Sequence, residues 1–191
     1  MSEMLTVVLP ERLRVGADLM HAVYVIDEYT DVESSAGTRE ICAIALDALR
    51  NTDKPRPEAE IVIGEIFREY VGRIRELHRG IHTDSDRGGS GRFWARGRAI
   101  ATPEAEKHFL EAMEDYLEGV VRQSEDRDKL VMRTVDTYME ARRMDSGVRP
   151  CFSPCELHLS IPDETFYQPV VKELRDASTD MIVLDNVSNT I

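Results

Sequence analysis

Asp27 and Asp31 are the two side chains whose type and spacing most directly suggest chemistry. They lie in the stretch LRVGADLMHAVYVIDEYTD, residues 13–31, and extend a helical stripe of Leu13, Ala17, Met20 and Tyr24 at alternating steps of four and three. This spacing predicts that the stripe faces the protein interior, with Arg14, Asp18, His21 and Glu28 on the solvent side. Two carboxylates turned inward one helical turn apart are costly as anions, because desolvation and mutual repulsion both disfavour the charge. A hard dication removes that cost and takes oxygen ligands by preference, so the pattern points to magnesium at the mouth of a helical pocket. The competing reading is a solvated pair on an exposed helix face, and D-x-x-x-D alone does not separate the two.

A second candidate is RRMDSGVRP, residues 142–150, which sets Arg142, Arg143 and Gly147 close together. Guanidinium is suited to phosphate because its planar fork binds oxygens bidentately and stays charged. The competing reading is a surface arginine paired with Glu140 or Asp145. Cys151 and Cys155 have the spacing of a zinc half-site, but no second ligand pair accompanies them.

Charge narrows the partners. The 191 residues carry 36 acidic against 24 basic side chains, a net −12, which argues against a general nucleic-acid binder. An acidic protein still binds a diphosphate where metal ions and a few arginines reverse the sign locally. The opening residues MSEMLTVVLPERLR lack the pattern of a secretory signal, and no apolar run approaches the ~20 residues of a membrane span. Three cysteines, an odd count, fit reduced intracellular thiols, and the cytosol is the expected compartment.

The elements that must position these groups read as helices throughout. One runs from near Glu11 to about Val32. SSAGT, residues 34–38, has the composition of a turn or cap before an amphipathic segment from Arg39 to Leu49. A proline-marked loop, residues 51–58, precedes a long helix predicted from Glu60 to Leu77, with Ile61, Gly64, Ile66, Phe67, Tyr70, Val71 and Ile74 inward. Residues 78–92, rich in glycine and charge and without periodicity, read as a flexible loop or insertion. Arginines there and just beyond, with Phe93 and Trp94, raise RNA contact as an option; a solvated loop suits the acidic whole better. Thr102 is the N-cap and Pro103 the first position of a helix running to about Glu125, burying Phe109, Leu110, Met113, Leu117, Val120 and Val121.

Next comes Leu130 to Arg143, with Val131, Val135, Tyr138 and Met139 on one side, interrupted by Gly147 and Pro150. A short helix over Phe152 to Leu159 and a final one from Val170 to Ile191 complete the chain. No strand-like alternation persists and no repeat is present, so the expected class is all-α, in a single domain over residues 1–191.

The wording YVIDEYTDVES, residues 24–34, resembles the D-D/E-x-x-D motif of fungal class I sesquiterpene synthases, with Asp27, Glu28 and Asp31 at its acidic positions. The similarity continues through KPRPEAEIVIGEIFREY, FWARGRAIATPEAEKHF, DYLEGVVRQSEDRD, YMEARRMDSGVRP and IPDETF, with a gap near residues 78–92. The resemblance implies a helical bundle around a central pocket, magnesium as cofactor, and farnesyl diphosphate or a similar prenyl diphosphate as substrate. It implies that Asp27 and Asp31 hold metal, that Arg143 senses the diphosphate, and that Gly147 is the helix break one turn later. The family's second metal motif, N-D/E-x-x-S/T-x-x-x-E, is matched by Asn186 and Thr190, while Val187 replaces its acid. Its closing glutamate would fall beyond Ile191, and the aspartate motif arrives early, so the chain resembles a central fragment of such an enzyme. An open pocket admits water, which quenches carbocations. The alternative is therefore a truncated helical homologue without turnover; a chain-elongating prenyltransferase, which usually carries two aspartate-rich motifs, is a third option.

Overall fold

The computed structural model describes residues 10–52, 54–68 and 101–188. Among them are eight helices and no strand: α1 (Pro10–Thr30), α2 (Ser35–Arg50), α3 (Val62–Arg68), α4 (Pro103–Asp128), α5 (Val135–Asp145), α6 (Val148–Glu156), α7 (Asp163–Phe166) and α8 (Pro169–Ser188). The all-α expectation holds for the described residues. The end of the predicted 60–77 helix, and the loop of residues 78–92, lie outside them.

Local chemistry sets several of the starts. Ser34 accepts from the Gly37 amide, Thr102 from Ala105 and Thr134 from Thr137, each satisfying a donor that the first helical turn leaves open. The small residues of 34–38 are thus the cap and first turn of α2 rather than a separate turn. Pro103 follows Thr102 at the first helical position, as its spacing predicts.

At 26 residues, α4 spans about 39 Å and forms the axis of the fold. It packs against α2, α5 and α6, while α1 lies on α6, α2 and α3, and α8 on α5, α6 and α7. The core joins Phe109, Met113, Tyr116, Leu117, Val120 and Val121 of α4 to buried residues of α1, α2 and α3, including Leu19, Ile26, Leu49, Ile63 and Phe67.

Three expectations are corrected. The core face of α1 is Val15, Leu19, Ala22 and Ile26, not the stripe through Met20 and Tyr24, which are 42% and 62% exposed. Asp18, assigned to solvent, is 5% exposed on that core side. The buried stripe is the more apolar of the two, and it packs on α2, α3 and α6. Val131 and Val135 do not form a buried side, since α5 starts only after Thr134 and Val135 is 78% exposed. Instead α5 approaches α4 at Gly119, where a Cβ would lie 2.8 Å from the carbonyl carbon of Met144. Finally, Pro150 does not interrupt a helix: it sits in the first turn of α6, where its missing N–H has no partner to lose. The break is at Gly147 alone, with φ +68°.

Candidate metal and anion site

A cavity of about 520 Å³ opens beside the exposed stripe of α1. Met20, Tyr24, Asp27 and Asp31 form one wall, Arg142 and Asp145 of α5 a second, and Ile182 and Asn186 of α8 a third. Ser146 and Gly147 of the α5–α6 break, with Cys151 and Phe152 of α6, close the floor. The two aspartates therefore do share a hollow, although it lies on a side of α1 turned away from the core.

Gly147 is required there twice over. Its positive φ disfavours any L side chain, and a Cβ would meet Val23 Cγ1 at 2.8 Å and Tyr116 Cε2 at 3.5 Å. The tight turn carries the chain from α5 into α6 directly under the aspartates.

The electrostatics are those of a site short of positive charge. Burial pushes the Asp27 carboxyl up; a hydrogen bond from Tyr116 opposes this, the Asp31 charge adds to it, and Arg142 offsets part. The Tyr116 hydroxyl donates to Asp27 Oδ1 at 2.9 Å. Asp145 is likewise pushed up by burial, even though Arg142 Nη1 donates to its Oδ1 at 2.6 Å. Arg142 is thus the one arginine lining the cavity among the described residues, set between these carboxylates. Its Nε and the Ser146 hydroxyl oxygen are buried and have no hydrogen-bond partner among the described residues. Unsatisfied buried donors of this kind are costly.

Arg143 is held elsewhere. Its Nε and Nη2 each lie 2.7 Å from an oxygen of Asp180 on α8, in a bidentate pair. Adjacent helical residues point about 100° apart, so only one of two neighbouring arginines faces the cavity. Asn186 lines the cavity, while Thr190 lies outside the described residues. Cys151 lines it too, its Sγ 3.2 Å from Met20 Sδ; Cys155 is exposed, and the described cysteines form no disulfide.

Among the described residues, no three histidine, cysteine or carboxylate side chains converge on a single metal position. The donor set of Asp27, Asp31 and Asn186 is all oxygen on the carboxylates and amide, which fits a hard dication and not a thiophilic one.

Sequence reasoning did not single out Tyr116 as part of the site. The signal was available, since a tyrosine on the buried face of α4 must find a partner for its hydroxyl. Nothing in the sequence says that the partner is Asp27, 89 residues away.

Comparison with known proteins is consistent in its direction. The profile described as terpene synthase family 2, C-terminal metal binding, matches residues 18–186. Sesquiterpene synthase 14 of Postia placenta is 44% identical over 176 residues, covering 92% of this chain and 44% of that protein. Delta(6)-protoilludene synthase 18 of the same fungus is 42% identical over 92% of this chain and 44% of its own length. The chain thus spans less than half the length of these curated relatives. Among solved structures, a variant of the SVS_A2 protein from ancestral sequence reconstruction superposes with a TM-score of 0.73 at 17% identity, covering 95% of this chain and 48% of that one. That likeness is one of fold.

Proposed function

We propose, on the premise that this chain belongs to the terpene synthase family, that its cavity takes the magnesium-bound diphosphate of farnesyl diphosphate and starts the ionisation that leads to a sesquiterpene. The observation that carries this reading is the meeting of Asp27, Asp31, Arg142, Gly147 and Asn186 around one cavity. The names of the relatives, sesquiterpene and protoilludene synthases, support the substrate class.

In this reading Asp27 and Asp31 hold magnesium from one wall, Asn186 of α8 holds it from another, and Thr190 joins Asn186 as a ligand. Magnesium, when bound, supplies the positive charge that stabilises the departing diphosphate. Arg142 and Ser146 lie on the cavity wall, and the Arg142 guanidinium brings positive charge to the diphosphate. Arg143 remains the proposed diphosphate sensor; to act as one, it exchanges Asp180 for phosphate oxygens. Gly147 supplies the close turn beneath them. Tyr24 and Phe152, which line the cavity, offer aromatic faces to a passing cation, and Met20, Val23, Val148 and Ile182 keep that part of the wall apolar. The unpaired cysteines support a reducing, cytosolic setting.

The test is incubation of the purified protein with farnesyl diphosphate and magnesium chloride, with gas chromatography of the volatile products. A sesquiterpene hydrocarbon that vanishes without magnesium is the expected result. Magnesium-dependent pyrophosphate binding without hydrocarbon would instead favour the homologue without turnover. Failure to bind pyrophosphate at all would overturn the site.

A further inference from the structure

We propose that Tyr116 is a positioning residue for metal binding: its buried hydroxyl holds the Asp27 carboxylate in the orientation that presents its other oxygen to the cavity. This rests on the reading of Asp27 as a metal ligand.

Tyr116 is 1% exposed, on the central helix, among core residues that make no use of a hydroxyl. A phenylalanine would fill the same space. The hydroxyl is satisfied across the α1–α4 interface, by Asp27 Oδ1 at 2.9 Å, which leaves Oδ2 for a cation. The ring lies close to the α5–α6 turn, where a Cβ on Gly147 would meet its Cε2 at 3.5 Å and its Cζ at 3.8 Å. One side chain therefore ties the aspartate of α1 to the turn that floors the cavity. Asp31, by contrast, is exposed near the end of α1, and no hydrogen bond among the described residues orients its carboxylate. The two aspartates are unequal: one is aimed by the core, the other is free to follow the ion. Outer partners that orient a ligating carboxylate typically matter about 10–100-fold to metal affinity.

The experiment is titration with Mn²⁺ alone, followed by its electron paramagnetic resonance signal, at one neutral pH. Wild type is compared with Y116F, D27N and V120A, with circular dichroism reporting folding of each. Y116F is expected to weaken Mn²⁺ binding about tenfold while remaining folded. V120A removes buried volume from the same helix without touching Asp27, and is expected to bind within about twofold of wild type, inside the scatter of independent sites. If Y116F binds like wild type while D27N loses the ion, the positioning role is wrong and the ligand assignment survives. If V120A weakens binding as much as Y116F, the effect is one of general packing and the proposal falls. If D27N binds like wild type, the ligand assignment fails and takes this proposal with it.

Discussion

Asp47 and Asp27 sit on neighbouring helices, and the protein treats them in opposite ways. Asp47, on α2, receives Asn51 Nδ2 at 2.9 Å, Lys54 Nζ at 3.0 Å and the guanidinium of Arg56. These donors hold its carboxyl down to about 2. Arg56 also pairs with Glu60 at 2.6 Å, so the loop between α2 and α3 is laced to the helix end by saturated charges. Asp27 has one donor, a neutral phenol, and its carboxyl is pushed up by burial and by Asp31. A carboxylate supplied with every donor it can use fastens the fold. One left short of positive charge costs stability, and the natural compensation is a cation from outside.

That contrast can be broken or sharpened in five ways. The largest expected effect is on binding: D27N should weaken Mg²⁺-dependent pyrophosphate binding by about 100-fold or more, beyond what outer partners contribute, while D47N leaves it unchanged. Calorimetric titration of both variants decides this, and equal behaviour would erase the distinction between the clusters. Next is Gly147→Ala, which forces a side chain to φ +68° and into Val23. It should cost about 2–5 kcal/mol by urea denaturation, the sum of left-handed strain and overpacking.

Arg56→Ala should be smaller, about 1–2 kcal/mol, because Arg56 is shielded but its partner Asp47 is partly in water. Pyrophosphate affinity should not move with it. The smallest effects are thermal. A carboxyl held below its unfolded value stabilises above the ordinary carboxylate range and loses that contribution as pH falls. Wild type should therefore shed the Asp47 contribution as pH drops from about 4 towards 2, and D47N should flatten that part of the profile. At neutral pH and without metal, D27N should instead raise the melting midpoint by about 2–4 °C, the shift that 1 kcal/mol produces in a chain of this size. A variant that is more stable and cannot bind the ion would mark Asp27 as kept for function. A drop in its midpoint would place Asp27 with Asp47 among the fasteners.

The legible parts of the fold were those decided within a few residues. Thr102 and Pro103 announce α4 because a cap side chain and a proline act on their own helical turn. The buried face of α4 followed from spacing because its other face is charged. On α1 the stripe that carries the aspartates was the wrong one: the more apolar Leu19 and Ile26 are buried, and Met20 and Tyr24 are exposed. On α5, exposed Val135 and Tyr138 look like a core face, while contact with α4 is made through Gly119 and the buried Asp145. Hydrophobic type reports what could be buried, and the neighbour decides what is.

The amino-acid sequence by itself determined the helical class, the start of α4 at Thr102 and Pro103, and the placing of Asp27 and Asp31 on one side of one helix. All of these follow from backbone geometry and side chains within two turns of each other. Only the tertiary structure decided that Arg142 faces the cavity while Arg143 is held by Asp180, that Gly147 closes against Val23, and that Tyr116 reaches Asp27. Those outcomes depend on how distant helices rotate and approach, and sub-turn rotations are set by close packing across the whole core.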